Sequence, residues 1–120
     1  MPDPETPRGS SRGERKKDKP PLPDGFLVLS VPPQRFNLGQ MVITANAQAV
    51  LEPDEVSQAL FRHSRGDWGN VCAEDAQVNE RGVHDKGMIL SSYESAKAVK
   101  FWVITDPGHK VTTVLLPEDY

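Results

Sequence analysis

The sequence predicts an α+β domain, an antiparallel β-meander of three to four strands with two or three helices packed on one face. Three features predict it. Apolar residues recur at helical spacing between Glu52 and Lys86, and from Met88 onward the period changes to two. Three β-rich runs fall in that second region. The two connectors between them are five residues long, short enough for hairpins. The chain of 120 residues is the size of one domain, with no room for a separate cofactor module.

Residues 1–25 hold six of the eleven prolines, and their only large apolar side chains are Met1 and Leu22. Six basic residues face five acids there. Such a segment cannot offset its ordering entropy by burial, so a disordered, solvated tail is expected. The tail carries +1 of the total charge of −3, which leaves −4 for a single domain over 26–120. Arg15, Lys16 and Lys17 offer a weak grip on a polyanion, nearly cancelled by the acids among them.

The domain is expected to begin with a strand at 26–31, stopped by Pro32 and Pro33. A second strand follows at 40–44, introduced by Gly39. Residues 45–51, rich in alanine, suit a helical turn or a short helix. Glu52, Pro53, Asp54 and Glu55 make a good helix start, with proline early in the first turn and acids that suit the dipole. Val56, Ala59, Leu60 and His63 then share one helical face, and the glycine-containing run 64–70 breaks the helix. Another helix is expected from Ala73 to about Lys86, with Gly87 as a left-handed cap and Ala73, Ala76 and Val83 as its buried residues. Strands at 88–93, 99–105 and 111–116 complete the meander; the first strands would join an edge, in an order that the sequence does not give.

Several short motifs stand out: Arg62-His63, Gly66-Asp67-Trp68-Gly69, Ser91-Ser92-Tyr93, Trp102-Val103-Ile104-Thr105, and the C-terminal run from Thr112 and Thr113 to Pro117-Glu118-Asp119-Tyr120. Together, over residues 36–120, they resemble a small bacterial family of "plasmid-related" proteins carried on plasmids, phages and other mobile elements. The resemblance implies a genetic setting, that of an accessory protein, and no chemistry. The loop 106–110 departs from the family pattern, which carries an arginine there.

His63 leads the candidates for chemistry. At a helix end beside the 66–69 loop it can exchange protons near neutral pH, with Asp67 to orient it. On an apolar face with Leu60 it equally suits the core. Trp68 between two glycines reads as a loop anchor, and Asp67 as a cap for the following turn. On the strands, Thr112 and Thr113 face opposite sides, Ser91 shares a face with Tyr93, and Lys100 shares one with Trp102. Lys100 beside Trp102 or Tyr93 would give a cation–π contact or a small nucleic-acid surface; ordinary cross-strand pairing explains the same residues. Arg62, Trp68, Tyr93, Trp102, Thr112 and Tyr120 are the motif residues available to an interaction surface.

Two function classes emerge. In the first, the domain binds protein: an acidic surface of Glu74, Asp75, Glu80, Asp85, Glu118 and Asp119 engages a host complex that processes DNA. In the second, the chain is a metal-independent ribonuclease of the RelE, colicin and barnase type. His63 would then act as general acid or base, Asp67 would orient it, Lys100 or His109 would offset phosphorane charge, and Thr113 or Thr112 would bond a phosphate oxygen. RNA binding depends on basic surface, and a charge of −4 places protein binding first. The three histidines are far apart and no HxH, HExxH, CxxC or phosphate-loop spacing occurs, so neither metal nor cofactor is expected. No run approaches the roughly 20 apolar residues of a membrane helix, and no secretory segment is expected. The single cysteine, Cys72, fits a reducing cytoplasm.

Overall fold

Gly39, at φ 66°, turns the chain into the first described strand, β1 (Gln40–Ile43). A Cβ at residue 39 would run into the backbone of His109 and Lys110, so the close approach of the two loops requires glycine. The computed structural model describes Gly25 and residues 33–120; the remainder of the expected tail and the strand expected at 26–31 lie outside the described residues.

Two helices follow directly, α1 (Ala45–Val50) and α2 (Pro53–Ser64). Thr44 caps α1, its Oγ1 accepting from the Ala47 N–H at 3.1 Å. Its hydroxyl also donates to Asp119 at 2.7 Å, so the C-terminal Pro117–Asp119 turn clasps the start of α1. Proline opens α2 as expected. Glu55 accepts from the Glu52 N–H through one carboxylate oxygen, at 3.3 Å, and from the Ala96 N–H through the other, at 2.6 Å. One side chain thus stops the helix fraying and holds it to a distant hairpin.

The third helix, α3 (Ala73–Asp85), departs from expectation in two details. Ala73 is exposed, Ala76 and Val83 are half-buried, and the fully buried positions are Asn79 and Gly82. The left-handed cap is Lys86, at φ 61°, rather than Gly87. The cause lies in packing. A Cβ at Gly82 would stand 2.9 Å from the Met88 carbonyl and 3.1 Å from the Ile89 side chain, so glycine here permits contact instead of merely weakening the helix.

The last three strands are β2 (Ile89–Glu94), β3 (Lys100–Thr105) and β4 (Val111–Leu115). They pair antiparallel in sequence order, as the period-two pattern predicted. The sheet formed by the described strands is mixed, because β1 adds to β4 in parallel and the strand order is β1-β4-β3-β2. The helices between β1 and β2 return the chain in its original direction, and two hairpins then leave β4 running with β1. The α+β class stands, and the meander accounts for three of the four described strands.

Alternation along β2, β3 and β4 sends Tyr93, Phe101, Val103 and Val114 to the side of α1 and α2, where they meet Ala47, Leu51 and Ala59 in the main core. A second cluster, Phe36, Trp68 and Ile89 with Ala76 and Val83, seats α3 beside β2. Asn79 completes that junction. Its amide donates to the Leu90 carbonyl at 2.8 Å and accepts from the Leu90 N–H at 3.0 Å, so a side chain substitutes for a neighbouring strand. Farther along, Ser92 gives its N–H to Trp68 and takes one from Asn70, closing the β2 edge. Asn79→Ala leaves both Leu90 groups without their partner. It is expected to cost about 2–3 kcal/mol, read as a lower urea midpoint; an unchanged midpoint would show that water replaces the amide at no cost.

Candidate functional site

The sequence places His63 one residue before the end of α2, and the fold drives its ring into the junction between α2 and the sheet. The side chain is fully buried. Nδ1 lies 2.6 Å from the Ser91 hydroxyl on β2, and Nε2 lies 2.9 Å from the Thr105 hydroxyl on β3. Thr105 in turn meets Thr112 on β4 at 2.7 Å, and the Thr112 hydroxyl donates to the Leu38 carbonyl at 2.7 Å.

A carbonyl only accepts, so the direction of the whole chain follows from its far end. Thr112 donates to Leu38, Thr105 therefore donates to Thr112, and His63 donates Nε2–H to Thr105. Nδ1 carries the lone pair and accepts from Ser91. The imidazole is neutral and every polar atom in the row has its partner. Phe36 and Trp68 pack edge-on against the ring, with centroids 5.3 and 6.0 Å away. Burial, reinforced by the nearby His109, pushes the His63 pKa down to about 3.

Asp67 does something other than orient His63. Its carboxylate takes two bonds from Arg62, at 2.7 and 3.2 Å, and a third from the Gly69 N–H. The bond and charge from Arg62 hold the Asp67 carboxyl below its ordinary value, and Asp67 raises the Arg62 guanidinium in return. The turn-capping role expected of Asp67 is thus met, and so is the anchoring role of Trp68, which is buried with its indole N–H on Glu80 at 3.2 Å. Arg62 also lies over the Tyr93 ring, 4.5 Å from its centroid. The Tyr93 hydroxyl donates to the Asp67 carbonyl at 2.6 Å, and burial moves its pKa up to about 12. Arg62, Asp67, Trp68 and Tyr93 form one clasp that fastens the 66–69 loop to α2 and β2.

The four residues assigned to ribonuclease chemistry do not converge. His63 is inside the core and Asp67 is turned to Arg62. Lys100 stands exposed at the start of β3, opposite Glu94. Thr113 alternates with the buried Thr112 and so occupies the sheet face away from His63. The cation–π partner of Tyr93 is Arg62 in place of Lys100. Trp102 pairs edge-on with Tyr120 at 5.8 Å. Among the acids proposed as a surface, Glu80 is bound by Arg35 and Trp68, and Asp119 by Thr44, Asn46 and the Leu116 N–H. Glu74 and Asp75 remain exposed in the first turn of α3.

Phe36, Arg35 and Asn79 take structural roles that no sequence motif signals. Phe36 and Arg35 act through partners 27 to 45 positions away, for which the local period gives no sign. Asn79 carried a usable signal, a polar residue at a helix position where Ala76 and Val83 mark the inner side.

Three metal-relevant side chains do not meet at any point among the described residues, and none of the described helices is long and apolar enough to cross a membrane. Comparison with protein-family models, curated proteins and solved structures finds no match.

Proposed function

We propose that the domain is a protein-binding accessory factor, in keeping with the mobile-element setting that its motifs suggest. Its docking surface is the outer side of α3 against the start of β2. One observation carries this reading. Val78 and Met88, 46% and 38% exposed, line a single cleft of about 100 Å³ with Leu90 and Asp75.

The other exposed apolar side chains are not paired on one described cleft: Met41 lines a wider, more open one with the half-buried Leu38 among polar residues. Met41 and Val42 are neighbours on β1 and point to opposite faces. Phe61 lies beneath the Arg65 guanidinium, and Tyr120 is paired with Trp102. At the α3 cleft the apolar floor has room for one aliphatic side chain, and the exposed Glu74 and Asp75 stand in the same helix turn region. The complementary partner is a basic protein segment that presents an apolar anchor.

The test is to capture the partner from host cells with the full chain, purify it, and titrate it back. Val78→Asp with Met88→Asp, and separately Glu74→Lys with Asp75→Lys, should each weaken binding by about tenfold or more. The second pair should also flatten the fall of affinity with salt. Lys100→Glu, on another surface, should leave binding unchanged. Failure to recover a partner, or affinity indifferent to both pairs, would overturn the proposal. The ribonuclease alternative draws no support from the geometry. Cleavage of RNA by the purified full chain, lost in His63→Gln, would reverse that choice.

A further inference from the structure

A second cleft, of about 250 Å³, opens at the other end of α3, where Arg35, Phe36 and Asn37 face the β3–β4 turn. Its walls carry Arg35, His84, Lys86 and His109, and no carboxylate lines it. In a domain of net charge −4, a cleft walled by Lys86, the Glu80-paired Arg35 and two histidines, with no carboxylate in its lining, stands apart. We propose that the cleft binds a phosphate group, either free or as the phosphomonoester of a small molecule.

Backbone geometry singles out the same place. Three described non-glycine residues have positive φ: Lys86 at 61°, Ala98 at 65° and His109 at 57°. Two of them stand on this cleft, and both carry nitrogen-bearing side chains. A left-handed conformation is costly for such residues, and asparagine or glycine usually fills it. The turns that hold them are locked together, with the Gly108 N–H on the Lys86 carbonyl at 2.8 Å and His109 Nε2–H on the Gly87 carbonyl at 2.9 Å. The strained residues are therefore held in place before any ligand arrives.

The donors suit an oxyanion. Lys86 brings an ammonium with three N–H groups, and His84 brings an N–H donor in either tautomer. Arg35 spends two of its five N–H groups on Glu80, at 2.7 and 3.0 Å, which fixes its plane and leaves three. The Asn37 amide adds a neutral donor. The α3 C-terminus points its negative dipole end here, so recognition rests on side chains and not on helix amides. Phe36 is buried beneath, and the volume exceeds that of a phosphate group alone, leaving space for an attached organic moiety.

This site is independent of the α3–β2 docking surface, and its test needs no protein partner. The full chain, labelled for NMR, is titrated with inorganic phosphate and, separately, with adenosine 5′-monophosphate. Saturable shifts are expected at the backbone amides of Lys86, Gly87, Gly108 and His109 with at least one probe. His84→Gln combined with Lys86→Asn, which keeps a residue tolerant of the left-handed turn, should weaken that binding about tenfold or more. Tighter binding of the nucleotide identifies a phosphomonoester ligand, and equal binding identifies free phosphate. Shifts that never saturate, that spread equally to Lys97 and Lys100, or that persist unchanged in the double variant would overturn the proposal.

Discussion

Replacing His63 with alanine is expected to destabilise the domain by about 4 kcal/mol, the largest effect of any single side chain considered. The substitution removes a fully buried ring packed between Phe36 and Trp68 and leaves a cavity, a change that typically costs 2–5 kcal/mol. It also strips Ser91 of its acceptor and Thr105 of its donor inside the core, where an orphaned polar group costs about 1–3 kcal/mol. The two terms share atoms and do not simply add. For a domain of this size such a loss lowers the melting temperature by roughly 15–30 °C. Lys100→Ala, on an exposed position, should remain within about 0.5 kcal/mol of the parent. A His63→Ala domain that melts with the parent would show that the hydroxyl row does not hold the helix to the sheet.

Mild acid is the second large perturbation. His63 titrates near 6.5 in the unfolded chain and at about 3 in the fold. Between those values the unfolded state binds the extra proton, so stability rises with pH across the window and is lost as the pH falls. The full contribution is present above pH 6.5. About 2 kcal/mol is gone by pH 5, and about 4 kcal/mol by pH 3. Asp67, Glu80 and Asp119, held below their ordinary values by hydrogen bonds, lose their own contributions only as the pH falls past the carboxylate range. The interval from pH 6.5 to pH 5 therefore separates the imidazole from these carboxylates. Urea midpoints at pH 7 and pH 5 measure it directly. His63→Gln, which replaces the ring with a group that does not titrate, should flatten the difference. A parent protein equally stable at both values would mean that His63 takes up its proton inside the fold.

The same burial that makes His63 important to stability separates it from any ribonuclease role. A general acid or base needs a nitrogen within reach of a substrate, and here Ser91 and Thr105 occupy both. Asp67, its supposed orienter, is bound to Arg62, and the two together hold the 66–69 loop. The motifs that looked most like a catalytic constellation are thus largely a set of fasteners: Arg62-Asp67-Tyr93 at one loop, His63-Thr105-Thr112 through the core, and Asp119-Thr44 at the C-terminus. Their residue types suit either purpose, because a side chain that can exchange a proton or bond a phosphate can also bond another side chain. Only the distances decide between them. The surfaces proposed for binding lie instead at the two ends of α3, among residues outside those motifs.

Local pattern was enough to determine the existence and order of the described helices and of the last three strands. Proline and acids at the start of α2, the four-residue face ending at His63, and the change to period two after Gly87 are properties of neighbouring residues, and they act before any long-range contact forms. The structure decided the parallel addition of β1 to β4, the left-handed turn at Lys86 and the burial of Asn79. It also decided which partner each polar motif residue would take. These depend on contacts between residues far apart in the chain: Gly82 against Ile89, Asn79 against Leu90, His63 against Thr105. Such contacts are set by how the elements pack, a property of the whole fold that no window of sequence contains.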